Sequence, residues 1–187
     1  MMRYFLLMLA CVMGMTANAW AGPKLKQIDL IGLKPGVTTK EEVAKLTHAS
    51  EGDFVIGGHR LFCFPEYRND KLDGLLCYMG RVALIPEELW EHTKFSKASN
   101  IEIHTTLYRG LVKKLGKPDM EEVFKVRNGM GQEFENHLVI WQDLKGNQLR
   151  LLARAGRIDS GILILQSAEN IKAEKDKREA EERSRKF

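Results

Sequence analysis

The sequence predicts an α+β fold: short helices packed on an antiparallel sheet, arranged as two α-β-β-β repeats, with an exposed charged helix at the C-terminus. Two stretches, "TTKEEVAKL" and "IEIHTTLYRGLVKKL", carry apolar residues at helical spacing. Most other apolar residues come in short runs bounded by Gly, Pro, Asn and Asp, and several such runs follow one another without an intervening helix. That succession favours antiparallel meanders over a parallel sheet. Beyond Ser167 the chain is almost entirely polar and charged. The resulting division is a signal peptide over 1–21, a first half over 22–99, a second half over 100–166 and a charged helix or tail over 167–187.

Arg3 precedes an apolar run from Tyr4 to Met15, and small residues follow, Thr16 to Gly22. A charged start, a short apolar core and an Ala-x-Ala exit describe a secretory signal peptide, with cleavage after Ala19 or after Ala21 both fitting. A membrane span needs roughly 20 apolar residues, and this run is shorter. Cys11 lies too early in the run to leave an apolar core before a lipidation site, so no lipid anchor is expected. No transmembrane span remains once the signal is removed, and an exported, periplasmic location in a bacterial envelope is expected.

Export decides how the cysteines read. With Cys11 removed, Cys63 and Cys77 remain, and an even count in an exported chain favours a disulfide. In "FCFPEYRNDKLDGLLCY" the two cysteines are equidistant from Asp70, between strand candidates rich in Phe, Leu and Tyr. Folding the stretch about Asp70 sets Cys63 opposite Cys77, Phe64 opposite Leu76 and Phe62 opposite Tyr78. A non-hydrogen-bonded antiparallel pair brings two cysteines within disulfide reach. Closing a loop of about 15 residues is worth roughly 3 kcal/mol. Neither Cys-x-x-Cys redox spacing nor a four-ligand zinc pattern is present.

Taken in order, "IDLIGL" is expected to form a strand before Pro35-Gly36. Thr38 and Thr39, each followed three residues on by a glutamate, suit a capping box, with Val43 and Leu46 turned inward. Gly57-Gly58 marks a hairpin. Pro86 suits the start of a helix over "EELWEH", and "SKASN" joins the halves. Ile103, Leu107, Leu111 and Leu115 form the stripe of the second helix, with Gly116 as its cap and Pro118 as its stop. "EEVFKV", "HLVIWQ", "NQLRLLAR" and "GILILQ" are strands, and "DLKGN" is a turn. Each half offers Thr-Thr near a helix ending in Lys-Leu and then a run of strands. The tail carries Glu174/Arg178, Lys175/Glu179 and Glu179/Arg183 at four-residue spacing, which supports a solvated helix.

"GLKPGVTTKEEVAKL", with "LVKKLGKP" later, resembles the helix signature of SmpA/OmlA-type envelope-assembly lipoproteins. The resemblance implies short helices against a three-stranded antiparallel sheet. A tandem version is similar to the β-lactamase-inhibitor-protein fold, in which two such units form a sheet surface that grips other proteins. The chain departs from the lipoproteins in lacking a suitable lipidated cysteine, and no functional residue of either family carries over by match.

The formal net charge is +4 with both signs interspersed, without the basic stripe of a nucleic-acid binder. His48, His59, His92, His104 and His137 lack zinc-helix spacing. No G-x-S-x-G elbow occurs, and Gly129/Gly131 precede no Lys-Ser/Thr. No catalytic or metal-binding residue is nominated and no cofactor is expected. His137 reads as a surface or edge histidine. Among the aromatics Tyr67, Tyr78, Trp90, Phe95, Tyr108, Phe134 and Trp141, the last and Tyr108 suit the core. Tyr67 and Arg68, at the tip of the stapled hairpin, are the candidate binding surface, because a disulfide lowers the entropy lost on binding. The expected function is an exported, non-catalytic, protein-binding or inhibitor-like envelope protein whose partner is another envelope protein. The alternative is a small envelope hydrolase or ligand-binding protein with a site assembled from both halves.

Overall fold

A computed structural model describes residues 25–46, 52–80 and 98–184. The signal segment, Cys11, His48, His92, Trp90, Phe95 and the helix expected after Pro86 lie outside the described residues. The order is α1 (Lys40–Leu46), β1 (Asp53–Ile56), β2 (His59–Arg68), β3 (Lys71–Gly80), α2 (Asn100–Leu115), β4 (Met120–Arg127), β5 (Glu133–Gln142), β6 (Gln148–Leu152), β7 (Ser160–Gln166) and α3 (Ala168–Ser184). The strands form one seven-stranded sheet, β1-β2-β3-β7-β6-β5-β4, and every neighbouring pair is antiparallel. The fold is α+β. β1 to β3 form one meander, β4 to β7 a second, and β3 joins them by pairing with β7.

Local chemistry explains the elements. α1 begins with a capping box: the Thr39 N–H donates to Glu42 Oε2 at 2.8 Å, and the Glu42 N–H donates to Thr39 Oγ1 at 3.3 Å. The equivalent at α2 is Ser99 with Glu102, and these backbone and hydroxyl bonds lower the pKa of both glutamates. Gly57 and Gly58 close the β1–β2 hairpin with φ of 59° and 81°, and Asn69 and Asp70 close β2–β3 with φ of 50° and 62°. Two central residues with positive φ make a turn whose twist matches the strands it joins.

Ile103, Leu107, Leu111 and Leu115 are buried along α2. They meet Leu61, Leu75, Met79, Val139, Trp141, Leu149, Leu151, Leu163 and Leu165 of the sheet in one core. Trp141 is fully buried and its indole N–H donates to the Gly116 carbonyl at 3.0 Å. The "DLKGN" turn is organised by buried Asp143, whose carboxylate accepts from the N–H groups of Lys145, Asn147 and Ile28.

Some expectations change. Residues 28–33 form no strand: Asp29 Oδ1 accepts the Gly32 N–H at 2.7 Å, and Leu30 and Leu33 exchange backbone bonds across a tight turn. Ile28, Leu30 and Leu33 are buried in the core all the same. Thr38 does not cap α1; its hydroxyl accepts the Lys34 N–H and donates to the Gly32 carbonyl. Leu46 is exposed, because its short helix buries only Val43. The stretch rich in turn formers after Pro65 is not a long loop: both strands run on to a two-residue turn. Among the described residues the second half contributes four strands to the first half's three. α3 is the exposed charged helix, with Asn170 its buried residue.

Candidate functional site

An antiparallel sheet has two faces, and alternation assigns residues to them. α1 and α2 cover one face, onto which Leu61, Cys63, Leu75, Cys77, Leu149, Leu151, Leu163 and Leu165 point. The register places two rows across the other face. The first runs Phe64, Leu76, Ile164, Arg150, Ile140, Met120, and the second Phe62, Tyr78, Ile162, Leu152, Leu138, Glu122. Polar residues border the rows on one side, with Glu66, Gly74, Gln166, Gln148 and Gln142 in register. Arg60, ion-paired with Asp53 at 3.0 Å, and Asn136 lie on the other side. Among the described residues no helix packs across the middle of this belt.

Six strands about 4.8 Å apart make the belt roughly 25 Å long, and two rows make it roughly 14 Å wide. The resulting footprint of about 350 Å2, apolar except for Arg150 and Glu122, falls within the range of the largest surface patch on a monomeric domain, which is often functional. Most of its side chains are half-buried; Phe64 is 39% exposed and Met120 44%. Phe64 meets Phe62 edge-on at 4.7 Å between ring centroids and Tyr78 at 6.1 Å. Arg150 sets a guanidinium in the middle of the first row, held by Gln148 Oε1 from Nε at 2.9 Å and Nη2 at 2.7 Å.

The disulfide lies directly behind this aromatic group. Cys63 and Cys77 are bonded, with Cα atoms 4.0 Å apart, in the register expected from the equidistance about Asp70. The Cys63 N–H donates to Gly52 on the β1 side, so the cysteines form a non-hydrogen-bonded pair with β-carbons turned toward each other. Both are buried. The cross-link therefore fixes β2 against β3 beneath Phe62, Phe64, Leu76 and Tyr78.

The hairpin tip divides between the two faces. The register slips at Glu66/Tyr67, leaving Asp73 as a bulge. Tyr67 lies half-buried against the core with the Lys40 ammonium 5.8 Å from its ring centre. Burial, and secondly the Asp70 carboxylate, raises its phenol above the usual 10.0. Arg68 alternates to the belt side, where its Nε donates to Asp73 Oδ2 at 3.0 Å. Asp73 also accepts from the Ser167 hydroxyl and from Asn170 Nδ2, and Ser167 accepts the Asn170 N–H at the start of α3. Ser167 is thus a helix cap tied to a carboxylate, with no imidazole among its partners. The structure brings Arg68 to one end of the belt and leaves Tyr67 on the opposite face.

A titratable cluster lies where α2 meets β4 and β5. Tyr108 Oη donates to Glu121 Oε1 at 2.9 Å, and His137 Nε2 lies 2.9 Å from the same oxygen. His104 lies beneath them, its ring centre 5.0 Å from that of His137. His137 sits within β5 and faces α2, its side chain 23% exposed. Burial, with the His137 charge second, pushes the His104 imidazole down to about 4, while a bond to the His137 backbone opposes the shift. The Glu121 bond raises the Tyr108 phenol. His104 Nε2 is buried without a hydrogen-bond partner, so this imidazole is held neutral and away from solvent.

Two cavities lie elsewhere. One of about 630 Å3 is lined by Arg127, Arg154 and Arg157, among others; each guanidinium is engaged by a carboxylate or a carbonyl. Another, of about 310 Å3, lies beside the hairpin tip between Arg68, Lys71, Lys145 and the start of α3. Among the described residues no three His, Cys, Asp or Glu side chains converge to hold a metal ion, and no helix is long and apolar enough to cross a membrane.

The belt residues Phe62, Phe64, Leu76, Ile162, Ile164, Leu138 and Ile140 are not among those nominated from the sequence. Their signal is the unbroken apolar run. "GILIL" and "LVIW" do not alternate, and a strand apolar on both sides has two faces to cover. Comparison with protein-family models, curated proteins and solved structures finds no match.

Proposed function

We propose that this is an exported, non-catalytic protein of the bacterial envelope that works by seating another envelope protein on the face of its sheet opposite α1 and α2, as a binding or inhibitory module. The observation that carries this reading is the apolar belt with polar margins, the anatomy of a protein interface whose centre is dry and whose rim is wet. Aromatic and arginine side chains dominate interface energetics, and Phe64, Tyr78 and Arg150 supply both kinds within the belt. The complementary surface is an apolar ridge with a carboxylate set to meet Arg150. Arg68 extends the surface at the hairpin end.

The disulfide supports the same reading. It holds the aromatic group rigid before any encounter, so little conformational freedom is lost on association. It also accords with an oxidising compartment, and hence with removal of a signal peptide. The polar clusters offer less to a catalytic reading. Ser167 is committed to capping, and His104 is buried beneath His137 and Glu121.

Affinity capture from the cell envelope tests the proposal when wild type is compared with Phe64→Glu and Arg150→Glu. Wild type is expected to retain a stoichiometric partner that both variants lose while keeping wild-type circular dichroism. Retention of the same proteins by both variants would overturn it.

A further inference from the structure

β4 is the last strand of the sheet and, among the described residues, pairs with β5 alone. The alternation of its backbone groups follows from one bond: the Asn128 N–H donates to the Gln132 carbonyl, in line with the β4–β5 register. Even-numbered residues of β4 therefore face β5, and Glu121, Val123, Lys125 and Arg127 turn their N–H and C=O groups outward. Such an edge is a template for a further strand, and proteins usually guard it with charge.

Here the charge is ordered. Glu121 and Glu122 fall in the first half of the strand, Lys125 and Arg127 in the second, and Val123 between them is 58% exposed. Lys125 and Arg127 pair with Glu133 but are largely exposed, and Glu121 meets Tyr108 and His137 through Oε1 with its side chain 39% exposed, so each of these charges can take a further partner. A parallel copy in register would set like charges side by side. An antiparallel copy sets opposite charges together.

We infer that β4 pairs antiparallel with β4 of a second copy of this chain, about a two-fold axis through Val123. An axis perpendicular to the sheet keeps each face on its own side, so residues of the same parity meet. Centred on Val123, the register sets Glu121 against Lys125 of the second copy twice and Val123 against Val123. On the belt side it sets Met120 against Val126 twice. Centring on Phe124 instead would still oppose Glu121 to Arg127, but would set Val123 against Lys125 and Glu122 against Val126 and lose the Val123–Val123 and Met120–Val126 contacts. The chosen register makes one fourteen-stranded sheet and joins the two apolar belts end to end on one side. The edge is short, so the dimer is weak and concentration-dependent.

Sedimentation velocity over a concentration series tests this on the full mature chain. Wild type is expected to dimerise. Glu121→Lys and Lys125→Glu each oppose like charges and are expected to dimerise about tenfold more weakly, while an equimolar mixture of the two restores opposite pairs and the dimer. Val123→Pro removes only an outward N–H, which an edge strand tolerates, and is expected to be folded and monomeric. Val123→Cys is expected to form an intermolecular disulfide faster than Lys125→Cys, because only residue 123 meets its own copy. A wild type that stays monomeric at every concentration would overturn the inference. So would a dimer untouched by Val123→Pro, or a mixture that gains nothing over the single variants. Partner capture is read separately through Phe64 and Arg150, so either proposal can fail without the other.

Discussion

Lowering the pH should destabilise this fold through one side chain. His104 is 4% exposed, and burial pushes its imidazole from the ordinary 6.5 down to about 4. Its surroundings are His137 on β5, Tyr108 on its own helix and Glu121 on β4. The unfolded chain takes up a proton near 6.5, whereas the folded protein refuses it until about 4. The stabilisation is therefore fully present above the unfolded value and is lost as the pH falls through the window between the two. At about 1.4 kcal/mol per pH unit, the loss is about 2 kcal/mol at pH of about 5 and roughly 3 kcal/mol near pH of about 4. Urea unfolding of wild type and His104→Leu measures it. Leucine leaves the His137 carbonyl satisfied, because that oxygen also accepts the Ala153 N–H at 3.0 Å. His137 and Glu121 are common to both proteins, so the difference reports His104 together with its coupling to His137. Equal losses of stability in the two proteins between pH of about 7.5 and about 5 would refute the reasoning.

Reducing the Cys63–Cys77 bond, which closes a separation of 14 residues, should cost about 3 kcal/mol; overlapping urea curves with and without reductant would count against it. Gly161→Ala should be among the more damaging single changes, at about 2–3 kcal/mol. A β-carbon there would lie 2.7 Å from the Ala153 carbonyl and 2.8 Å from both the Leu152 carbonyl and Met79 Cε; thermal unfolding within error of wild type would contradict this. Ser99→Ala removes the capping hydroxyl of α2 and should cost about 1 kcal/mol, read as a lower urea midpoint.

Much of the fold was legible because its signals are local. The cap, stripe and stop of α2 lie within one short stretch, and the equidistance of Cys63 and Cys77 from Asp70 gives the hairpin register from Phe62 to Glu66, beyond which the Asp73 bulge shifts it by one. The segment over 28–33 misled because its alternation of Ile28 and Leu30 matches a strand, yet Asp29 competes for the backbone and folds the chain back on itself. The hairpin tip misled in the other direction. Turn formers from Pro65 to Gly74 suggested a long loop, but a two-residue turn suffices when Asn69 and Asp70 take positive φ.

The site was less legible than the fold. A belt assembled from six strands far apart in sequence exists only once the strand order is known, and that order depends on β3 pairing with β7. What the sequence did contain was Phe62 and Phe64 on either side of a core-facing cysteine, which places both rings on the opposite face. His104 and His137 meet only because α2 crosses the sheet beside β5.

Site-directed photo-crosslinking in intact envelopes is the most direct test of the claim that the sheet face opposite α1 and α2 receives a protein. A crosslinker placed at Phe64 or Ile164 should yield one discrete adduct, and one placed at Glu41 or Lys45 on α1 should yield none. An adduct confined to the α1 positions, or none from the belt, would contradict the account.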